Sequence, residues 1–182
     1  MNDALAAELA AFREAFSREL SAVLAELRAD PEVFGFGIDL PEDFSNLGGF
    51  CAFVGREDVT GAATPGTVAW ATRRYVPVEW GDGMKGAPWS DTGDRLEAIQ
   101  ETLEEVLPGE SDEETPEEVE LRDALYDTFL GVMAEKADAG EFGGVGYRVL
   151  LFNDDDHPIT RRSLDRLNDP ATAAAAADAL GL

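Results

Sequence analysis

The chain has 182 residues, of which 38 are Asp or Glu and 14 are Lys or Arg, so its formal net charge is −24. A charge this negative repels nucleic-acid phosphates and anionic lipid headgroups, so we expect binding to neither. A single cysteine excludes an intrachain disulfide, and no apolar run approaches the ~20 residues that span a bilayer. No basic segment precedes the first apolar residues, so we expect no secretory signal and a cytoplasmic protein.

The first segment is typical of an amphipathic helix over residues 3–29. Its apolar side chains recur at three- and four-residue spacing: Leu5, Leu9, Phe12, Phe16, Leu20, Val23, Leu24 and Leu27. Asp30 and Pro31 end it, because a residue before proline is disfavoured in the helical region. The polar face is acidic, which favours packing on a core over binding to a membrane.

Three strands are predicted next, at 33–39, within 48–60 and at 67–80. In the first, Phe34, Phe36 and Ile38 alternate with glycine, so we expect them to share one face of a sheet. The third is predicted from alternating residues that are β-branched or aromatic: Val68, Trp70, Thr72 and Tyr75. Short connections between these strands favour an antiparallel arrangement.

Helices dominate the second half of the chain. One helix is predicted to end at Pro108, and another to begin at Thr115, whose hydroxyl and the carboxylate of Glu118 are spaced for a capping box. A fourth strand is predicted at 145–152, followed by a short helix at 160–167. A last helix follows Asp169 and contains an alanine run.

The order of elements predicts a single α+β domain over residues 1–182, with an acidic linker at about 109–115 inside it. We expect a mainly antiparallel sheet of about four strands with helices packed on it. The strand at 145–152 is apolar almost throughout, so we expect it to be central.

The residues that most often carry chemistry are scarce. His157 follows three aspartates and is compatible with a divalent metal, but an ordinary solvated turn explains the same residues. Cys51 lies among apolar strand residues and is expected to be a buried side chain rather than a nucleophile. We therefore predict no catalytic residue, no metal and no cofactor.

Aromatic residues are concentrated around the loop at 81–93. Core packing is the favoured interpretation of Trp70, Tyr75, Trp80 and Trp89. The alternative is that Trp80 and Trp89, which flank a glycine-rich stretch, bind a partner together with Glu79.

The residues 75–80, Tyr-Val-Pro-Val-Glu-Trp, resemble an aromatic-x-Pro-x-Glu-Trp element of the bacterial DUF4303 family. The opening helix, the strand Phe36–Ile38 with its acidic turn, and the segment Ser163–Asn168 are similar to that family in arrangement. The sequence departs from the family after Gly55. The resemblance implies a small bacterial α+β protein of the kind encoded near polymorphic toxins, and it assigns no catalytic residue.

Two explanations of the acidity remain open, a hydrating coat and electrostatic attraction to a basic partner. We expect a non-enzymatic interaction protein that binds a basic protein, in the manner of a toxin-immunity protein. The acidic runs at 110–118 and 153–156 motivate this expectation. The alternative is a small hydrolase or transferase that uses Glu79 with acids of the 39–43 loop. No oligomeric state is predicted.

Overall fold

The computed structural model describes residues 1–41, 50–61, 63–81, 87–106, 115–152 and 158–182. These residues contain both helices and strands, so the predicted α+β class is confirmed. In chain order the elements are α1 (Asp3–Leu27), β1 (Val33–Asp39), β2 (Cys51–Arg56), α2 (Glu57–Thr60), α3 (Val68–Tyr75), α4 (Ser90–Val106), α5 (Pro116–Asp138), β3 (Tyr147–Leu151), α6 (Ile159–Leu167) and α7 (Pro170–Leu180). Short 3₁₀ turns lie at Pro77–Trp80 and Ala87–Trp89.

The helix ends follow local capping chemistry. Asn2 accepts a hydrogen bond from the Leu5 N–H at 2.8 Å and begins α1, which ends close to the predicted boundary. The predicted capping box at the start of α5 is present, with Thr115 and Glu118 bonding each other's backbone N–H groups. These groups would otherwise be unpaired at a helix start, so the caps stabilise the helices where the sequence places them.

The sheet of the described residues is mixed and has three strands, in the order β2-β1-β3. β1 pairs antiparallel with β2 and parallel with β3. The prediction of about four mainly antiparallel strands is therefore wrong. The parallel pairing arises because the chain between β1 and β3 includes four helices, and such a long crossover can return a strand in the same direction.

The predicted third strand, at 67–80, is also wrong. This segment forms α3 and the 3₁₀ turn Pro77–Trp80. Thr67 accepts a hydrogen bond from the Trp70 N–H at 3.3 Å and so begins a helix. A half-buried strand would bury every second side chain, but no residue of α3 is fully buried.

β3 lies at the edge of the sheet, contrary to the expectation that it is central. Its apolar run is explained by helices that cover it, including α6, which packs along the outer edge of the strand. The side chains of α6 replace a neighbouring strand by bonding backbone groups of β3 and the residue after it. These bonds join Asn168 to both the N–H and the carbonyl of Arg148 (2.8 and 2.7 Å), Ser163 to the N–H of Leu150 (3.0 Å) and Thr160 to the N–H of Phe152 (3.0 Å).

The two faces of the sheet are covered differently. Phe36 and Ile38 lie in a core cluster with α1, α4 and α5, whereas Phe34 lies in a second cluster with Trp80 and α7. The expectation that Phe34 shares the face of Phe36 and Ile38 is wrong. The register of β1 against β2 shifts between Val33 and Gly35, and such a bulge reverses the face that the preceding side chain occupies.

The helices are too short or too polar to span a membrane wherever the structure describes them. The predicted acidic linker at 109–115 and the run at 153–156 lie almost entirely outside the described residues. Their predicted roles therefore stay predictions.

We predict that Asn168→Ala lowers the free energy of unfolding by about 1–3 kcal/mol, because it leaves the backbone N–H and carbonyl of Arg148 without partners. Denaturant unfolding followed by circular dichroism measures the change. The control is Arg161→Ala on the same helix, which removes only an exposed ion pair with Asp165 and should change stability by less than about 0.5 kcal/mol. Equal effects of the two substitutions would contradict the covering role of α6.

Candidate functional site

Trp80 is the most tightly held of the predicted binding residues. Its side chain is 8% exposed, and its indole N–H donates to the Arg73 carbonyl at 2.9 Å. Its ring meets Phe34 and Tyr147 edge-on, at centroid distances of 5.5 and 5.9 Å. Edge-to-face contacts of this kind favour one ring orientation, so Trp80 holds the 3₁₀ turn against the sheet.

Glycines of the sheet make room for this turn. A Cβ atom added at Gly35 would lie 2.7 Å from Cη2 of Trp80, and one added at Gly55 would lie 3.0 Å from its Cε2. A Cβ at Gly37 would lie 2.7 Å from Cγ of Pro77. The alternation of glycine with phenylalanine in β1 is thus explained by the close approach of Trp80 and Pro77 to one face.

Trp89 is buried on the opposite side of the sheet. Its side chain is 3% exposed, and its ring centroid lies 5.9 Å from that of Phe16 and 5.6 Å from that of Phe50. Because α4 begins at the next residue, Trp89 fixes the start of α4 against α1. Both tryptophans therefore occupy the core, the favoured of the two predicted locations.

Glu79 is exposed on the 3₁₀ turn next to Trp80. Asp39, at the end of β1, is half-buried, while Glu42 and Asp43 of the same predicted acidic group lie outside the described residues. The structure thus brings Glu79 and Trp80 together by sequence proximity and places Trp89 elsewhere. A binding role for these three residues stays a prediction.

Neither a metal site nor a nucleophile is formed by the candidate residues that the structure describes. His157 lies outside the described residues, and within the ranges that are described no three His, Cys, Asp or Glu side chains are close enough to hold a metal ion. Cys51 is buried in β2, with 4% of its surface exposed. Its location matches the expected small apolar side chain.

Many carboxylates of the protein take part in contacts that stabilise the fold. The Arg56 guanidinium is the main cause of the lowered pKa of Asp30, and Arg166 plays the same part for Asp138. The Ser21 hydroxyl lowers the pKa of Glu141 most, with a further contribution from Lys136. Arg13, Arg162 and Arg18 pair in the same way with Glu135, Asp127 and Asp91.

The outer face of α4 differs from this pattern. It carries five exposed carboxylates spaced three, four, three and one residues apart, which we call the acid face: Asp94, Glu97, Glu101, Glu104 and Glu105. At 100° per residue these positions share one side of the helix, opposite the buried Leu96, Ile99 and Leu103. In the part of the chain that the structure describes, no cation forms an ion pair with the acid face.

Two described arginines, Arg18 and Arg95, lie on the α1 side of α4 beside Asp94 and are engaged by other carboxylates. Arg18 bonds Asp91 at 2.5 Å, and Arg95 lies 3.8 Å from Glu8 of α1. The last turn of α4 contains Glu104 and Glu105 and no basic residue. Carboxylates are unfavourable there because the C-terminal end of a helix is itself negative. The acid face therefore weakens its own helix.

Sequence reasoning missed the acid face because it looked for unbroken acidic runs. The signal was present in the spacing of Asp94, Glu97 and Glu101, which repeats the helical period on the side opposite the apolar stripe. The lack of ion pairs to these carboxylates among the described residues could not be read from the sequence, since it depends on where α1 and α5 place their arginines.

Comparisons with known proteins add no relative. No protein-family model matches the chain, and neither the curated proteins nor the solved structures contain a match. The similarity to the DUF4303 family therefore stays a prediction, and the functional argument depends on the physical properties of the chain itself.

We predict that Gly35→Ala lowers the free energy of unfolding by about 1–3 kcal/mol, because the new Cβ would collide with the Trp80 ring. The matched control is Gly93→Ala in α4, where no atom lies within 4 Å of the new Cβ. That change should stabilise the protein by about 0.5–1 kcal/mol, since alanine favours a helix over glycine. Denaturant unfolding of both variants measures the difference in sign.

The same contact predicts coupling between the two residues. Trp80→Phe removes Cη2, so Gly35→Ala should cost less in the Trp80→Phe background than in the original protein. Additive losses would show that the collision with Trp80 is not the cause.

Proposed function

We propose that the protein is a non-enzymatic binding protein that docks a basic surface of a partner protein through the acid face of α4. The observation that carries the proposal is the set of five exposed carboxylates that no described cation neutralises. On α5, by contrast, Glu118 takes part in a cap, and the carboxylates of Glu120, Asp127, Glu135 and Asp138 form ion pairs. The contrast supports a focused negative surface over an even coat of charge.

The physical advantage of such a face is fast and selective association. Clustered charge of one sign attracts an opposite surface before contact, and like-charged proteins are repelled. The acid face lies on the solvent side of α4 because Leu96, Ile99 and Leu103 hold the other side in the core. A partner can therefore reach all five carboxylates without disturbing the fold.

The competing explanation is that the acids serve only to hydrate the surface. Carboxylates at a helix C-terminus and at three- or four-residue spacing repel one another and each cost a few tenths of a kcal/mol. A hydrating coat can be placed anywhere on the surface, including positions where it costs nothing. The concentration of Glu101, Glu104 and Glu105 at an unfavourable helix end supports the docking function.

The form of the function that we favour is inhibition of a basic toxin, as in an immunity protein. The similarity of Tyr75–Trp80 to the DUF4303 family supports this choice of partner. The alternative of a hydrolase or transferase around Glu79 draws no support from the described residues, where Glu79 is exposed on a turn.

The proposal is tested with a basic protein encoded beside this one, immobilised for surface plasmon resonance at low salt. A variant that converts the acid face to amides (D94N, E97Q, E101Q, E104Q, E105Q) should associate at least about ten-fold more slowly. Association of the original protein should also fall steeply as salt is added, since screening acts on attraction between exposed charges.

The matched control makes the same change in net charge elsewhere. It replaces five exposed carboxylates outside the acid face: D3N, E14Q, E26Q, E32Q and E117Q. Association of this control should stay within a factor of about three of the original rate, because general attraction is weaker than a focused patch. If both variants associate equally slowly, the acidic residues act only as a general hydrating coat. If neither variant associates more slowly than the original protein, docking by charge is refuted.

We also predict that the acid face is kept at a cost to stability. The double variant E104Q and E105Q should raise the free energy of unfolding by about 0.3–1 kcal/mol at low ionic strength, because it removes negative charge from the C-terminal end of α4. The control is Glu117→Gln in the first turn of α5, where the carboxylate favours the helix and its loss should lower stability. Chemical denaturation at 10 mM and 500 mM salt checks both signs.

A further inference from the structure

A groove of about 320 Å³ lies between α3 and α7, on the face of the sheet opposite the acid face. Trp70 and Tyr75 of α3 line one side, and Ala175, Asp178 and Ala179 of α7 line the other. The two alanines lie one helical turn apart, and their small side chains leave the space between the helices open. The volume is at the lower end of the range for small-molecule sites.

Two aromatic rings give the groove perpendicular walls. The centroids of Trp70 and Tyr75 are 6.1 Å apart, with an angle of 89° between the ring planes. Tyr75 is held from behind by Tyr147, whose ring lies 5.2 Å away and whose hydroxyl donates to the Tyr75 carbonyl at 2.8 Å. Both groove residues are half-buried, so the rings are fixed in place and still reach the open space.

The charge in the groove is negative. Asp178 is exposed, and among the described residues that line the groove it is the one Asp, Glu, Lys or Arg. Arg74 of α3 is held elsewhere, over the Phe34 ring at 3.6 Å and beside Glu57 at 3.0 Å. By contrast, the groove along α1 is lined by Arg13, Arg18 and Lys136. The α3–α7 groove therefore combines aromatic faces with a carboxylate, and none of its described lining residues is a cation.

We propose that this groove binds an organic cation, namely an alkylammonium or guanidinium group. Such a cation is attracted by the electron-rich faces of tryptophan and tyrosine and by a nearby carboxylate, and its apolar substituents fit between the rings. An anion would meet Asp178 and a protein of net charge −24. A neutral apolar ligand would leave Asp178 unused.

The proposal does not depend on docking by the acid face. The apolar side of α4 packs in the core cluster of α1 and α5, whereas α7 packs in the cluster on the other face of the sheet. A single cation cannot contact both surfaces. Loss of docking by the acid face therefore leaves cation binding in the groove intact, and the two proposals can be refuted separately.

The test is a ¹⁵N-correlation NMR titration with choline chloride, followed through the indole N–H signals of the three tryptophans. Trp70→Leu assigns the Trp70 signal by removing it. Choline should shift that signal in a saturable manner and leave those of Trp80 and Trp89, which are buried, unchanged. The neutral isostere 3,3-dimethyl-1-butanol, which has the same shape without the charge, should bind at least ten-fold more weakly.

A second arm separates two sources of the cation. The tripeptide Gly-Arg-Gly presents a guanidinium as a partner protein would. Tighter binding of choline than of the peptide assigns the groove to a free small cation, and the reverse order assigns it to a protein side chain. Either order of affinity supports the binding of an organic cation in the groove.

Substitutions of single residues show which side chains bind the cation. Asp178→Asn should raise the dissociation constant for choline about ten-fold, a change worth 1.4 kcal/mol, while Asp94→Asn on α4 makes the same charge change and should have no effect. The Trp70→Leu variant should bind choline and the neutral isostere with equal affinity, measured through the NMR signals of the ligands. If Trp70→Leu does not fold, the comparison of the two aspartate variants decides.

Three results would overturn the proposal. One is the absence of saturable binding by choline and by the peptide up to 100 mM. Another is equal affinity for choline and its neutral isostere, which would make the groove merely apolar. The third is an equal effect of Asp178→Asn and Asp94→Asn, which would assign the binding to general attraction by the acidic surface.

Discussion

The central strand β1 carries Phe36 and Ile38 on one face and Gly35 and Gly37 on the other, and both helical layers depend on this asymmetry. The side chains of Phe36 and Ile38 keep the helices on their face away from the strand backbone, and α1 and α5 pack against these side chains. Gly35 and Gly37 allow Trp80 and its turn to approach the backbone closely on the other face. The positions of α3 and of the groove between α3 and α7 follow from that approach, because the turn connects directly to α3.

The open edge of the sheet imposes a second constraint. A strand edge with unpaired N–H and carbonyl groups invites pairing with another chain. Here α6 removes that possibility with side chains, as Asn168, Ser163 and Thr160 bond the backbone at every second residue from Arg148 to Phe152. A helix can do this because residues three to five positions apart on one face are separated by about the same length as every second residue of a strand. The edge is thus satisfied without a fourth strand.

Charge is divided between two uses. Arginines on α1, α3 and α6 hold neighbouring elements together by ion pairs or ring contacts, as in Arg74 between Phe34 and Glu57. Exposed pairs of this kind contribute little stability individually. Within the described ranges the acid face of α4 forms no ion pair, although α4 lies beside α1 and its arginines. Two surfaces of different chemistry thus lie on opposite sides of one small sheet, and they support separate hypotheses about binding.

Local chemistry was sufficient to predict α1, the capping box of Thr115 and the negative character of the surface. The caps and helical stripes act over three or four residues, so they are readable without the fold. The alternating residues from Thr67 to Trp80 suit a strand, but the Thr67 cap begins a helix there, and the contact of Trp80 with glycines of β1 fixes the turn that follows. The edge position of β3, the lack of ion pairs to the acid face among the described residues, and the groove beside Trp70 were decided by tertiary structure. Each depends on which distant helix lies alongside, and burial and pairing between such elements have no local signature.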